Sequence, residues 1–152
     1  MEFPQKPQIQ NREMRRRLGF GLAVLGLLLF LLGTRPEWFG LDRSVVIGYV
    51  QVSVFSLGLL FLCVGGIILF NALWPNGERS ILADLGMRLA LTGFVVAMAS
   101  GMADVFGLGT RPLPETTTFF GYWQSRGVLI GEIIMIVSFL MMFPWKVLKR
   151  GE

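Results

Sequence analysis

Four long runs of apolar residues, separated by short polar segments, dominate the chain. The runs cover residues 18–33, 45–74, 85–108 and 128–143. A hydrocarbon core of roughly 30 Å needs about 20 helical residues to cross it, and each run comes close to that length or exceeds it. The pattern therefore predicts an all-α, polytopic membrane protein with four transmembrane helices.

A short sequence motif, Leu-Gly-Thr-Arg-Pro, occurs twice, at residues 32–36 and again at residues 108–112. The start of the apolar run that follows each copy also repeats, as Arg-x-Val-x-Ile-Gly at residues 43–48 and 126–131. Gly and Pro end a membrane helix and Arg anchors it at the headgroups, which explains the first motif but not the second. We therefore expect two tandem helical hairpins that descend from one ancestral segment.

The expected domain organisation is one transmembrane domain between two short tails. The transmembrane domain covers residues 18–145, with repeat one over about residues 17–74 and repeat two over about residues 86–145. The two tails, residues 1–17 and 146–152, are expected in the cytoplasm. Two prolines and three glutamines near the amino terminus predict an extended backbone over about the first 13 residues.

The basic residues lie unequally on the two sides of the predicted helices. Ten are on the side of the chain termini, namely Lys6, Arg12, Arg15, Arg16, Arg17, Arg79, Arg88, Lys146, Lys149 and Arg150. The other side carries an outer basic rim of four, namely Arg35, Arg43, Arg111 and Arg126. The positive-inside rule then predicts cytoplasmic termini in a bacterial cytoplasmic membrane. Two helices per repeat give both hairpins one orientation, so their pseudo-twofold axis is expected along the membrane normal.

Composition excludes several classes of function. The formal charge of +4 does not indicate nucleic-acid binding, because the basic residues cluster beside apolar runs rather than along a polar face. The chain has no histidine, which argues against bis-histidine haem, the usual zinc sites and imidazole proton relays. Cys63 is the single cysteine, so an intramolecular disulfide and a cysteine metal cluster are excluded. We expect neither a metal nor another cofactor.

Small residues form a stripe along the third predicted helix, at successive spacings of four, three, four and four. They are Gly86, Ala90, Gly93, Ala97 and Gly101. Since apolar side chains gain little from association in lipid, small residues that let backbones approach closely are typical of helix interfaces. We therefore expect the third helix at the centre of the packing. Shorter versions are Gly19-x3-Ala23 in the first helix and Gly127-x3-Gly131 in the fourth.

Two carboxylates belong to the predicted spans. The third and fourth runs reach spanning length only if Asp104 and Glu132 are included. Asp104 precedes Arg111 by seven residues and Glu132 follows Arg126 by six, so the helical rise places both roughly 9 to 10 Å below the outer basic rim. These positions predict carboxylates within or just under the outer leaflet.

Two polar residues of the second predicted helix fall at a similar depth. Counted from Arg43, Tyr49 and Gln51 lie about 9 and 12 Å along the helix. With Asp104 and Glu132 they form a candidate intramembrane polar layer.

The polar layer has three competing interpretations. An ionisable residue within a span costs at least about 2.5 kcal/mol on insertion scales, which makes it a functional-site hypothesis. The carboxylates could pair with the outer basic rim, face a partner subunit or a lipid or quinone-like headgroup, or bind a proton or cation. No Gly/Pro-interrupted helix centre of the kind found in transporters is present, and no nucleophile or metal constellation indicates hydrolysis.

The sequence favours a non-enzymatic integral membrane protein. Small size, short loops, packing stripes and missing cofactor ligands predict an accessory or assembly subunit of a larger membrane complex. Its expected partners are membrane lipids and either other membrane subunits or further copies of the chain. The alternative is a small transporter or channel subunit that uses Asp104 and Glu132 as a cation or proton site. On the side of the termini, Asp84 and Arg88 stand four residues apart and predict an ordinary helical ion pair.

Overall fold

The computed structural model of the chain is all-α. It describes residues 6–40, 49–74, 79–103, 107 and 121–145. Within these residues the chain forms four α-helices, which are α1 (Lys6–Thr34), α2 (Tyr49–Leu73), α3 (Ile81–Gly101) and α4 (Tyr122–Met142). Each of the four is long and apolar enough to cross a membrane, as a multi-pass membrane protein requires.

The first helix begins earlier than the sequence indicates. The prediction of an extended backbone over the first 13 residues is wrong from Lys6 onward, where α1 starts. The residues that follow Pro7 are mostly Gln, Arg, Glu and Met, which have good helix propensity, and a proline is tolerated in a first helical turn. The helix then runs to Thr34, and Pro36 opens a single 3₁₀ turn, Pro36–Phe39.

The third helix reaches spanning length without Asp104. It begins at Ile81, because the hydroxyl of Ser80 accepts a hydrogen bond of 3.1 Å from the amide of Ala83 and caps the first turn. It ends at Gly101, three residues before Asp104, which lies outside the described residues. The argument that this span must include Asp104 is therefore wrong.

The fourth helix begins six residues before the predicted start, at Tyr122. The side chain of Gln124 accepts a hydrogen bond of 2.7 Å from the backbone amide of Gly121, which satisfies a donor at the helix start. The helix therefore includes Arg126, which the sequence assigned to the rim outside the span.

The helices α1 and α2 pack antiparallel through glycines spaced seven residues apart. These glycines are Gly19, Gly26 and Gly33 on α1, and Gly58 and Gly65 on α2. A Cβ atom built on Gly19 would lie 2.6 Å from the backbone nitrogen of Leu69, and one built on Gly65 would lie 2.5 Å from that of Ala23. Only glycine permits so close an approach of two backbones.

The helices α3 and α4 also pack antiparallel, and the small-residue stripe of α3 lies at their interface. Of the five stripe residues, Gly86, Ala90, Gly93 and Ala97 are buried, and Gly101 is partly exposed. A Cβ atom built on Gly86 would lie 2.8 Å from the carbonyl oxygen of Ser138, and one on Gly93 would lie 2.7 Å from that of Gly131.

The two helix pairs join mainly through α2. The core consists of Phe55, Leu59 and Cys63 from α2, Ala97 from α3, and Val128 and Met135 from α4. Further along, the indole Nε1 of Trp74 donates a hydrogen bond of 3.0 Å to the carbonyl of Met142, and Phe70 stacks on Phe139. The described helix that packs substantially against all three others is α2, and the expectation that the third helix is central is therefore wrong. The stripe on α3 packs mainly against α4, but it also reaches α2, because Cys63 Sγ lies 3.8 Å from the carbonyl oxygen of Ala90 and Ala97 belongs to the shared core.

Candidate functional site

A cavity of about 250 Å³ lies between α1, α2 and α4, at the end of the bundle where α1 finishes and α2 begins. We call it the Glu132 cavity. Its lining residues are Gly33, Thr34, Gln51, Val52, Phe55, Ser125, Val128, Leu129 and Glu132. Two members of the predicted polar layer, Gln51 and Glu132, thus line one space although they are far apart in the sequence.

Gln51 is held in place by α1. It lies in the first turn of α2, and its Nε2 atom donates a hydrogen bond of 2.9 Å to the carbonyl oxygen of Gly33. Because Gly33 is in the last turn of α1, its carbonyl lacks an intrahelical partner and needs a donor from elsewhere. Gln51 therefore caps α1 and lines the cavity with the same side chain.

Glu132 lies at the middle of α4, ten residues after Tyr122 and ten before Met142. At 1.5 Å per residue, it is about 15 Å from either end of the helix. Its side chain is partly buried. Among the described residues it has neither a hydrogen bond nor an ion pair. A carboxylate without a partner in an apolar environment is costly, so it is the group of the cavity with the strongest demand for a ligand.

The two hydroxyl groups of the cavity use their protons within their own helices. Thr34 donates a hydrogen bond of 2.7 Å to the carbonyl of Phe30, and Ser125 donates one of 2.9 Å to the carbonyl of Tyr122. Their oxygen atoms keep free lone pairs, so toward the cavity both residues can act only as acceptors.

The described arginines of the outer basic rim do not neutralise Glu132. Arg35 is exposed at the end of α1, and the guanidinium of Arg126 lies 5.1 Å from the ring centroid of Tyr122 in a cation–π contact. Over the described ranges, the ion pair present is the predicted one between Asp84 and Arg88, at 3.1 Å, which is confirmed. Arg43 and Arg111 lie outside the described residues.

The rest of the polar layer stays a prediction. Tyr49 is the first residue of α2, and its side chain is not among those the structure describes. Asp104 lies outside the described residues. In the described part of the chain, no group of three His, Cys, Asp or Glu side chains could hold a metal ion.

The sequence contains a signal for this site in residues spaced seven apart, which a search for spacings of three and four residues does not reveal. Gly33 stands seven residues after Gly26, and Gln51 stands seven residues before Gly58. These positions extend the seven-residue glycine series of α1 and α2, which are the series that pack together. A heptad analysis would therefore have placed Gly33 and Gln51 side by side.

The fold and site define a multi-pass α-helical class of protein with a partly polar cavity at one end of the bundle. Comparisons of the chain with models of protein families, with curated proteins and with solved structures give no match. The function is therefore inferred from the residues of this chain and their geometry.

Proposed function

We propose that this chain is a non-enzymatic accessory or assembly subunit of a larger membrane complex. The observation that carries the proposal is the outward face of α1. This helix buries 17% of its most apolar window, the smallest share of the four, whereas α2 buries 44%. A helix attached to its own bundle by one face is available to a neighbouring chain by the other.

The outward face of α1 contains a glycine that makes no close contact with the described part of its own chain. A Cβ atom built on Gly21 would meet nothing within 4 Å, whereas one built on Gly19 or Gly26 would collide with the backbone of α2. Around Gly21 lies a shallow, open groove whose described lining belongs to α1 alone, namely Glu13, Met14, Arg17, Leu18, Gly21, Leu22 and Leu25. A small residue in an apolar groove favours close approach by a second transmembrane helix.

The proposal includes the internal duplication. The antiparallel pairing of α1 with α2, and of α3 with α4, supports two tandem hairpins of like orientation. The excess of basic residues on the side of the termini supports cytoplasmic termini in a bacterial cytoplasmic membrane. Single cysteines introduced at Trp38 and Asn11, in a Cys63→Ala background, test the orientation. A membrane-impermeant maleimide added to intact cells should label the first and spare the second, and labelling of Asn11→Cys would contradict it.

Gly21→Leu tests the docking face without disturbing the fold. The full chain, tagged at its carboxyl terminus, is purified from its native membrane in mild detergent, and associated chains are identified by mass spectrometry. The substitution fills the groove, so we expect the associated subunit to be reduced at least fivefold. Ala99→Leu, which introduces the same leucine at an exposed position of α3, is the matched control and should leave the associated chain unchanged.

The outcome also separates a foreign subunit from a second copy of this chain. Two differently tagged copies are expressed together, and capture of one tag is followed by detection of the other. Recovery of the second tag, lost in Gly21→Leu, would assign the groove to a homo-oligomer. A stable monomer without any associated chain would overturn the accessory-subunit proposal.

The alternative function is a small transporter or channel subunit in which Asp104 and Glu132 bind a cation or proton. The position of Glu132 at the middle of α4, without a partner among the described residues, favours it. Proteoliposomes that contain the full chain are tested for proton and sodium flux. Flux that is lost in both Glu132→Gln and Asp104→Asn would support transport. Absence of flux with the unmodified chain would remove this alternative.

A further inference from the structure

The Glu132 cavity presents mainly hydrogen-bond acceptors. The protons of Thr34 and Ser125 are engaged with carbonyls of their own helices, and one N–H of Gln51 is engaged with Gly33. In its ionised form, Glu132 adds two acceptor oxygens and a negative charge. The lining contains no Lys or Arg among the described residues. A ligand that fits this set must donate hydrogen bonds and is favoured by positive charge.

The remaining walls of the cavity are apolar. Val52 and Phe55 of α2 and Val128 and Leu129 of α4 line it, and all belong to spans that are apolar enough to cross a membrane. A ligand in this position therefore lies against apolar side chains of α2 and α4. Its charged group must be small and the rest of the molecule apolar.

The size of the cavity favours an organic ligand over a bare metal cation. Its volume of about 250 Å³ is several times the roughly 30 Å³ that one water molecule occupies in the liquid. The hard cations Ca²⁺ and Mg²⁺ also prefer six or more oxygen ligands, whereas the lining supplies one carboxylate and a few neutral oxygens.

We propose that the Glu132 cavity binds the ammonium group of an amphipathic amine, with Glu132 as its counter-ion and the helix walls around its apolar body. Oxygens of Thr34, Ser125 and Gln51 are available to accept hydrogen bonds from the two N–H groups that Glu132 does not bind. The bound amine provides the partner that the carboxylate lacks in the described part of the chain. This binding is independent of any partner at the outward face of α1.

The test uses the full chain in phosphatidylcholine nanodiscs and octylammonium chloride as the probe. Calorimetric titration is corrected with nanodiscs that contain no protein, so that partition into lipid is removed. We expect saturable binding of one octylammonium per chain, at least tenfold tighter than binding of 1-octanol, which has the same alkyl body without charge. Absence of saturable binding, or equal affinity for the two probes, would overturn the proposal.

Two variants of one residue isolate the role of its charge. Glu132→Gln keeps the shape and removes the charge, so octylammonium affinity should fall at least tenfold, to the level of octanol. Glu132→Asp keeps the charge and should retain the preference for octylammonium over octanol. The matched control is Glu37→Gln, which neutralises an exposed carboxylate outside the cavity and should leave octylammonium binding unchanged.

The remaining outcomes each decide the proposal. The binding of octylammonium is compared in sodium chloride and in choline chloride of equal ionic strength. If binding is abolished in sodium chloride alone, the site is a metal-cation site and the amine proposal fails. If circular dichroism shows that Glu132→Gln is misfolded, the proposal is decided by the Glu132→Asp variant and by the comparison of octylammonium with octanol. Loss of a co-purified subunit in Gly21→Leu, with unchanged amine binding, would show that the two sites are separate.

Discussion

Arg12 and Ala72 lie 60 residues apart in the chain, and a hydrogen bond of 2.9 Å from the guanidinium Nε of Arg12 to the carbonyl oxygen of Ala72 joins them. A second nitrogen of the same guanidinium donates a hydrogen bond of 3.1 Å to the carbonyl of Leu73, the last residue of α2. The final carbonyls of a helix have no intrahelical donor, so Arg12 caps α2 from α1. At the other end of the pair, Gln51 of α2 caps α1 through Gly33. Each helix thus supplies the cap of its neighbour.

Arg12→Gln should weaken the pairing of α1 and α2. The shorter amide removes two hydrogen bonds from a charged group to carbonyls, each worth about 1 kcal/mol net at this partly exposed position, and leaves those carbonyls to water. We expect a loss of about 2 kcal/mol in the free energy of unfolding, measured by circular dichroism in mixed detergent micelles with increasing sodium dodecyl sulfate. Arg16→Gln, at an exposed position of the same helix, is the control and should be neutral. Equal effects of the two variants would contradict the capping role.

Gly19→Ala and Gly21→Ala should act in opposite directions. A Cβ atom at Gly19 would lie 2.6 Å from the backbone nitrogen of Leu69, so the two helices must separate, at a cost of about 2 kcal/mol. A Cβ atom at Gly21 would meet nothing within 4 Å, and the change should stabilise the helix by up to about 1 kcal/mol. Thermal unfolding of the two variants in detergent checks this. Destabilisation by Gly21→Ala would show that its outward face is already in contact within the chain.

Trp74→Phe should loosen the contact between the two helix pairs. The substitution keeps an aromatic ring but removes the indole N–H that donates to the carbonyl of Met142 at 3.0 Å. We expect a loss of about 1 kcal/mol in the free energy of unfolding. Trp123→Phe is the control, because Trp123 is 83% exposed and its loss should be neutral. Similar unfolding curves for both variants would mean that the link between α2 and α4 does not depend on this hydrogen bond.

Arg88→Gln should have almost no effect on stability. The Asp84–Arg88 pair spans one helical turn at 3.1 Å, and its side chains are 43% and 74% exposed. Exposed pairs of this kind contribute about 0.3 to 0.5 kcal/mol because water and salt screen them. The expected shift in the unfolding midpoint is therefore within the error of the measurement. A large loss would indicate that Arg88 binds something besides Asp84, and repetition at high salt would show whether that interaction is ionic.

The sequence alone predicts the number of helices but not their ends. Apolar runs of bilayer length yield four spans because hydrocarbon thickness sets a minimum helix length. The ends differ because polar residues continue a helix once it has formed and because caps decide where it starts. Lys6 to Glu13 join α1 for the first reason, and Ser80 and Gln124 move the starts of α3 and α4 for the second.

Local spacing within one helix also predicts which face is small, as the α3 stripe shows, because helical periodicity is a property of a single segment. Which helix covers that face depends on how the segments fold back on one another. The tertiary structure placed α4 over the stripe and α2 at the centre, and it joined Gln51, Gly33 and Glu132 around one cavity. The seven-residue spacing could have paired Gly33 with Gln51, but no local rule brings Glu132 to them, since its proximity requires α4 to pack on the other two helices at close backbone distances that only the whole bundle sets.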